Sequence, residues 1–305
     1  MRFRMFLPAL LAGAAFAQLP LHTPPPGKLF LLIQPHHDDH SWAYGHAGLV
    51  ARLVESGYTG HYVRLTNDEK DGSGTWAQND IVNHRETVEA IRNLGMTDVI
   101  SLNWRNDHTD SVPHVDIRAQ IVLLIRKMLP DIVMSYHPWG HYDRNPDHRK
   151  LARAVADAIW AASQEDQYPE HFALGLKPYR VPHQYYSQRN DYGRGSRPNV
   201  AVEISAEHVA KKGRSFWLHR NVRLDPAMAR RVRERLAKEG KHIPQIEGLS
   251  DEEAAMRLQE ASMEYRARQV GARHGVRYAE EYSYRGPYAD LPEMHEFLRG
   301  LGVTP

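Results

Sequence analysis

The 305-residue chain contains no cysteine. This absence excludes disulfide bonds and thiolate chemistry, so any bound metal ion must be held by histidine and carboxylate side chains. The sequence also lacks the G-x-G-x-x-G pattern of dinucleotide sites, which argues against a dinucleotide cofactor. No segment after residue 17 is apolar enough to cross a bilayer, so stable membrane insertion is not expected.

A basic excess is missing as well. The chain has 39 Lys and Arg against 37 Asp and Glu. Two of the basic residues, Arg2 and Arg4, lie in the first 17 residues, and without them the two counts are equal. Proteins that bind nucleic acids normally carry a basic excess on the binding face, so no nucleic-acid partner is expected.

The first 27 residues differ in composition from the rest of the chain. Residues 1–17, MRFRMFLPALLAGAAFA, combine a basic start, an apolar stretch and a small-residue ending. This layout is typical of a secretory signal peptide and predicts an exported protein, periplasmic or extracellular. Residues 18–27 are rich in proline and predict an extended lead-in. We expect 28–305 to form a single domain, with a core over 28–165 and a C-terminal extension over 166–305.

Strand and helix patterns alternate through the first half of the chain. Apolar runs predict strands at 28–34, 60–65, 98–102 and 131–136, and helical periodicity predicts helices at 45–55, 83–94, 115–128 and 148–162. A Gly-, Asp- and Ser-rich loop is expected at 68–79. Beyond residue 170 we expect strands at 181–186 and 199–204 and charged helices at 225–239 and 250–270. The alternation predicts an α/β fold whose Rossmann-like, mostly parallel sheet has helices on both faces.

Two clusters of ionisable side chains each follow a predicted strand. The first is PHHDDH at 35–40, and the second is YHPWGHYDRNPDHRK at 136–150. Ligands of open α/β sheets collect at the carboxyl ends of the strands, so both clusters are expected at one edge. His36 and Asp39 are close enough in a tight turn to converge on one ion, and Asp38 between them can face the same pocket. A solvated loop explains either cluster alone, but two clusters at one edge favour a metal site with an open position.

These motifs resemble those of the LmbE-like/PIG-L family of zinc-dependent de-N-acetylases. The family's first motif, P-H-P-D-D-E, is present as PHHDDH at 35–40, with histidine replacing the second proline and the glutamate. The second, H-P-D-H, is present as NPDH at 145–148. The segments LTN at 65–67, ETVEAIRNLG at 86–95, VEISAEHVAKK at 202–212 and RYAEEY at 277–282 are also similar to family features, so the resemblance covers about 30–282.

The resemblance implies a role for individual residues. His36, Asp39 and His148 would bind one zinc ion per chain, although ligand types alone also allow another divalent metal. Asp38 would be the general base. Asn145 replaces the family histidine that stabilises the oxyanion. An Asn amide can donate in the same way, and His141 or His137 could also take this role.

Three further residues are candidates for contacts with the substrate. Glu86 and Arg85 lie in a predicted helix near its start, where charge placement alone also explains a glutamate. Trp139, beside the second cluster, could stack on a sugar ring, although a lone aromatic residue is also compatible with packing or simple surface exposure.

The combined expectation is a metal-dependent hydrolase that removes an N-acetyl group from a glucosamine-type sugar or glycoconjugate. Two alternatives stay open at this point. The changed motif residues allow a catalytically impaired homologue that only binds a sugar or a metal, and His/Asp clusters also occur in metal-dependent phosphoesterases, which often hold two ions.

Overall fold

The computed structural model of the protein describes residues 18–139, 143–189, 197–287 and 292–302. The strands are β1 (Leu29–Gln34), β2 (Thr59–Thr66), β3 (Asp98–Trp104), β4 (Ile132–Tyr136), β5 (His183–Ser187), β6 (Val200–Glu203) and β7 (Ala279–Arg285). The α-helices are α1 (Ala47–Glu55), α2 (Trp76–Asn93), α3 (His114–Met128), α4 (Pro146–Ala162), α5 (Glu170–Ala173), α6 (Ala206–Trp217), α7 (Pro226–Lys238), α8 (Asp251–Arg273) and α9 (Pro292–Gly300). Within these ranges no helix is both long and apolar enough to cross a membrane.

The described strands form one sheet in the order β3-β2-β1-β4-β5-β7-β6. The first five strands in this order pair in parallel, and β7 pairs antiparallel with both β5 and β6. The predicted α/β fold with a mostly parallel sheet is therefore confirmed. The chain runs outward from β1 to β3 and then returns to place β4 on the other side of β1. This reversal opens a crevice between the carboxyl ends of β1 and β4, where open α/β sheets bind their ligands.

Both faces of the sheet are covered by helices. In β1, Phe30 and Leu32 pack in one apolar cluster with residues of α1, whereas Leu31 and Ile33 pack in a second cluster with residues of α3 and α4. Because both faces are buried, the strand is continuously apolar rather than alternating. This explains why the run 28–34 is so prominent in the sequence.

Helix α2 begins earlier than predicted. The expected loop over 68–79 ends at Thr75, and the helix starts at Trp76 rather than at 83. Thr75 and Gln78 form a capping box, in which each side chain bonds the backbone N–H of the other residue. Glu86 and Arg85 therefore lie in the middle of a helix, so placement at a helix terminus does not explain either of them.

The C-terminal extension completes the sheet. Strand β7 was not predicted, because Glu280 and Glu281 interrupt its apolar pattern. Glu280 is nevertheless buried, since Lys212 of α6 forms an ion pair with it at 2.6 Å. The same ammonium donates to the backbone oxygen of Gly45 at 2.9 Å. This contact joins the last strand of the sheet to the segment that follows β1.

Candidate metal centre

The two histidine- and aspartate-rich segments meet at the crevice between β1 and β4. The first follows β1 directly and turns through a short 3₁₀ helix, Asp39–Ser41. The second leads into α4, whose first turn carries Asp147 and His148. Parallel pairing of β1 with β4 places the ends of both strands at the same edge of the sheet. Residues separated by more than 100 positions in the chain thereby become neighbours.

His36, Asp39 and His148 form a compact triad. Nδ1 of His36 lies 3.1 Å from Nε2 of His148 and 3.3 Å from Oδ2 of Asp39, and Oδ1 of Asp39 lies 3.4 Å from Nε2 of His148. Ligand atoms bound to a tetrahedral zinc ion at 2.0–2.1 Å are about 3.3 Å from one another. All three side chains are buried. The spacing and the two-nitrogen, one-oxygen donor set thus fit a divalent ion such as zinc.

Asp147 orients His36 from the side opposite to the triad. Its Oδ2 lies 3.2 Å from Nε2 of His36 and accepts a hydrogen bond from the backbone N–H of Asp107 at 2.7 Å. Its Oδ1 accepts from the hydroxyl of Thr109. A carboxylate on the distal nitrogen of a ligand histidine fixes the ring and its tautomer. No role for Asp147 was predicted from the sequence, although this residue lies within the second motif.

The surroundings of Asp39 favour its ionised form. Burial opposes ionisation, but the interactions with His148 and His36 outweigh burial and hold the pKa of the Asp39 carboxyl well below its usual range. The hydroxyl of Tyr136 at the end of β4 also donates to Oδ1 of Asp39 at 2.7 Å. Burial in turn lowers the pKa of His148, which favours the neutral imidazole that a metal ion requires.

Asp38 lies beside the triad and has a separate partner. The indole N–H of Trp42 donates to its Oδ2 at 2.8 Å. Burial raises the pKa of Asp38 to about 6. A carboxylate with a pKa in this range is mostly ionised at pH 7 and is still basic enough to accept a proton from water. The Trp42 contact fixes one carboxylate oxygen and leaves the other for a ligand.

The triad and Asp38 open into a cleft of about 250 Å³. Its described lining is almost entirely polar and consists of His36, Asp38, Asp39, Trp42, Tyr44, Asp71, Asn106, Asp107, Asp143, Asn145, His148 and Arg189. Five of these side chains are carboxylates and one is a guanidinium. The cleft is therefore suited to a ligand rich in hydroxyl groups, whereas an apolar ligand would find little surface to contact.

Asn145 lines the cleft and also caps α4. Its Oδ1 accepts the backbone N–H of Asp147 at 2.9 Å. Because the oxygen is used by the cap, the Nδ2 end is the donor, and it lies 3.4 Å from Oδ1 of Asp107 in the cleft wall. His141, another predicted oxyanion donor, lies outside the described residues.

The predicted substrate contacts are not brought to this cleft. Glu86 is buried on the far side of the first motif, among His37 and His219. Arg85, its neighbour in α2, is exposed. Trp139 is 71% exposed and lies 5.0 Å from the guanidinium of Arg153, in a different surface depression. The exposure of Trp139 corresponds to the surface alternative considered for this residue.

Proteins named as deacetylases are similar to parts of this chain. A diacetylchitobiose deacetylase from Thermococcus kodakarensis is 29% identical over 185 residues, which are 58% of this chain and 64% of the relative. A probable N-acetyl-alpha-D-glucosaminyl L-malate deacetylase 2 from Bacillus anthracis is 26% identical over 195 residues, covering 62% of this chain and 79% of the relative. The solved structure of N,N'-diacetylchitobiose deacetylase from Pyrococcus horikoshii superposes with a TM-score of 0.64 at 21% identity, covering 86% of this chain and 88% of that one. This last similarity shows a common fold.

The predicted localisation needs correction. The prediction of an exported protein, periplasmic or extracellular, is contradicted by the deacetylases that match the chain. Residues 1–17, on which that prediction depended, lie outside the described residues. A basic start followed by an apolar stretch is a short compositional pattern, and by itself it is weak evidence for export. The prediction of export is therefore withdrawn.

The family comparison covers the part of the chain that builds the metal centre. The model of the PIG-L family, GlcNAc-PI de-N-acetylase, matches residues 31–159. This segment runs from β1 into α4 and includes His36, Asp38, Asp39 and His148. The motifs, the sheet and the matched segment agree with one another, and the chain contains a domain of the PIG-L, or LmbE-like, family of de-N-acetylases.

Proposed function

We propose that the protein is a zinc-dependent hydrolase that removes the N-acetyl group from a glucosamine-type sugar or glycoconjugate. The observation that carries this proposal is the juxtaposition of the His36–Asp39–His148 triad with Asp38, a buried carboxylate that forms no ion pair among the described residues. The deacetylase relatives support the same reaction class.

His36, Asp39 and His148 would hold the ion. The bound ion supplies a Lewis acid that polarises the amide carbonyl and acidifies water. Asp147 and Tyr136 keep two of the three ligands in place, since Asp147 bonds Nε2 of His36 and the Tyr136 hydroxyl donates to the carboxylate of Asp39. The protein thereby presents a fixed donor set rather than one that must assemble on binding.

Asp38 is the proposed general base. With Oδ2 held by the indole of Trp42, Oδ1 is available to take a proton from the attacking water. The same carboxylic acid then returns that proton to the departing amine, because an amine leaves far more readily than an amide anion. Positioned proton transfer of this kind contributes typically about 10²–10⁴-fold to the rate.

Asn145 is the proposed oxyanion donor among the described residues. Its Oδ1 is held by the helix cap, which directs the Nδ2 group to the cleft side. A side-chain amide that donates to a tetrahedral oxyanion has a known precedent, in which its removal costs about 10²–10³ in kcat. His141 is the second candidate for this step.

The charge of the cleft favours a neutral sugar over the phosphoester alternative. Five carboxylates and one guanidinium among the described lining residues would repel a phosphate dianion. Hydroxyl groups, in contrast, can donate to each of these carboxylates. The retention of an oriented Asp38 disfavours the alternative of a binding-only homologue, because an unliganded base has no use in a site that only binds.

The test is the release of primary amine from a panel of N-acetylated sugars, including N-acetylglucosamine and diacetylchitobiose. We expect release by zinc-loaded protein, none after chelation, and recovery on adding zinc. Asp38→Asn should bind zinc normally and lose at least 100-fold in kcat, whereas the exposed Asp116→Asn should match the wild type. Activity of Asp38→Asn near the wild-type level would refute the base assignment, and phosphoester cleavage without amine release would refute the reaction.

A further inference from the structure

A second histidine cluster lies outside the proposed catalytic centre and includes His37 and His40 of the first motif. His37, His40 and His219 are completely buried, and Glu86 is 3% exposed. No ring nitrogen of the three histidines has a hydrogen-bond partner among the described residues. Buried polar atoms are almost always paired in folded proteins, so six unpaired nitrogens in one place require an explanation.

The side chains of this cluster converge. Ligand atoms of His37, Glu86 and His219 all lie within 4.8 Å of one another. The ring of His219 is 5.1 Å from that of His37 and 5.2 Å from that of His40, measured between centroids. The carboxylate of Glu86 accepts the backbone N–H of Arg220 through Oε2, while Oε1 makes no hydrogen bond and lies 3.3 Å from the exposed guanidinium of Arg220.

Negative charge surrounds this group of imidazoles. Glu86 belongs to the cluster itself, and Asp38 is the sequence neighbour of His37. Oδ2 of Asp68 and Oδ2 of Asp71 lie 3.6 Å and 3.8 Å from Nδ1 of His37. A divalent cation would balance the carboxylates and use the unpaired nitrogens.

We propose that His37, Glu86 and His219 bind a second divalent cation, which has a structural role. His40 packs edge-on against His219 but does not belong to the three residues whose ligand atoms converge. Imidazole and carboxylate donors suit zinc and similar transition metals. The ion would join the turn after β1 to α2, through Glu86, and to the residue pair that follows α6, through His219.

This site is distinct from the proposed catalytic centre. It shares no residue with the His36–Asp39–His148 triad, and none of its side chains lines the described cleft. In two-metal hydrolases the ions are about 3.5–4 Å apart and act on the same substrate. An ion held only by buried side chains cannot reach a substrate in that way. Asp71, which lines the cleft and lies beside His37, marks a route by which an ion could enter.

His37 also has a competing set of neighbours, Asp68 and Asp71. Asp68 is already used, since it accepts from the guanidinium of Arg64 at 3.2 Å and from the hydroxyl of Thr66 at 2.8 Å. His219, by contrast, has no partner among the described residues. The unpaired atoms therefore favour the side of Glu86 and His219.

The experiment is a count of zinc ions per chain after equilibrium dialysis of chelator-stripped protein against Zn²⁺, with elemental analysis. We expect two ions for the wild type, one for His219→Gln and one for the double variant His36→Gln/His148→Gln. His171→Gln, which changes a buried histidine remote from both sites, should keep two. Zinc should also raise the melting temperature of the double variant, since it retains the structural ion.

A second substitution guards against misfolding of His219→Gln. His37→Pro restores the residue that the family motif carries at this position and should also bind a single ion. One ion in the wild type that disappears with the double variant would overturn the proposal. So would two ions in His219→Gln with one in Asp71→Asn, because that result places the ion between Asp68 and Asp71. Deacetylase activity does not enter these measurements, so they stand independently of the proposed reaction.

Discussion

Nε2 of His36 faces Oδ2 of Asp147 at 3.2 Å, while Nδ1 of the same ring faces His148 at 3.1 Å. The imidazole is therefore held between the carboxylate of Asp147 and the other residues of the His36–Asp39–His148 triad. Burial lowers the pKa of His36, but Asp147 and Asp39 outweigh burial and raise it well above its ordinary value. The neighbouring carboxylates thus favour a positive charge at this ring, and a bound metal ion would take the place of the proton.

Removing the charge of Asp147 should weaken metal binding. Asp147→Asn is expected to lower the affinity for zinc by about 10–100-fold, the usual cost of losing the partner of a ligand histidine. Competition with a chromophoric chelator measures the affinity. Asp157→Asn is the matched control, since Asp157 pairs with His114 at 2.8 Å on the surface, and it should leave the affinity unchanged. Equal affinities for the two variants would contradict the role assigned to Asp147.

The hydrogen bond from the indole of Trp42 should lower the pKa of Asp38 and support its role as a base. Trp42→Phe keeps a ring against Phe216 but removes the N–H that donates to the carboxylate. A hydrogen bond to a charged group contributes about 1.5–3 kcal/mol, so kcat should fall by about tenfold or more while the zinc content is unchanged. The lost bond favoured the ionised form, so the pKa of Asp38 should rise from about 6. The acid limb of the pH–rate profile should accordingly move to higher pH; an unmoved limb would contradict this coupling.

The buried ion pair between Lys212 and Glu280 should dominate the stability of the C-terminal extension. Glu280 also accepts from the backbone N–H of Leu49 at 2.8 Å and from the hydroxyl of Tyr282. Glu280→Gln leaves a buried ammonium without its counter-ion, which typically costs about 3–5 kcal/mol. Chemical denaturation measures this loss. Glu207→Gln, which breaks the exposed pair with Lys211, should cost less than about 1 kcal/mol.

The same pair gives the stability a defined pH dependence. Burial opposes the ionisation of Glu280, but the charge and hydrogen bond of Lys212 hold its pKa below the usual value. A lowered pKa means that the stabilisation is complete above the unfolded-state pKa of about 4.3 and is lost as the pH falls through the folded-state pKa. The difference in unfolding free energy between wild type and Glu280→Gln should be constant near pH 7 and shrink below about pH 4. A difference that grows towards acid would contradict this sign.

The sequence was sufficient to predict the fold and the convergence of the two polar clusters at one edge of the sheet. Parallel strands such as β1 are buried on both faces and leave continuous apolar runs, and the polar clusters follow the two strands that flank the topological switch. Thr75 and Gln78 have the sequence pattern of a capping box. The start of α2 was nevertheless missed, because the glycines before it suggested a loop. Strand β7 could not be predicted, since its Glu280 is compatible with burial only in the presence of Lys212, 68 positions away.

Contacts between side chains that are distant in the sequence were the hardest to predict. Glu86 was expected to contact substrate, but α2 carries it to His37 and His219, on the other side of the first motif. Asp147 and Tyr136 hold the proposed metal ligands in place. Nothing in the sequence pattern distinguishes these two residues from ordinary capping or core residues. Only the approach of α4 to the end of β1 reveals that they face the same triad.

Asn145 combines two roles that a pair of substitutions can separate. Its Oδ1 caps α4, and its Nδ2 is the proposed oxyanion donor. Asn145→Ser retains a good capping residue but has no amide, so the unfolding free energy should change little while kcat falls by about 10²–10³-fold. Asn145→Ala should show the same loss of kcat and, in addition, a loss of about 1 kcal/mol in stability. If Asn145→Ser retains wild-type kcat, the amide does not stabilise the oxyanion, and His141→Ala becomes the variant in which the same loss of kcat is expected.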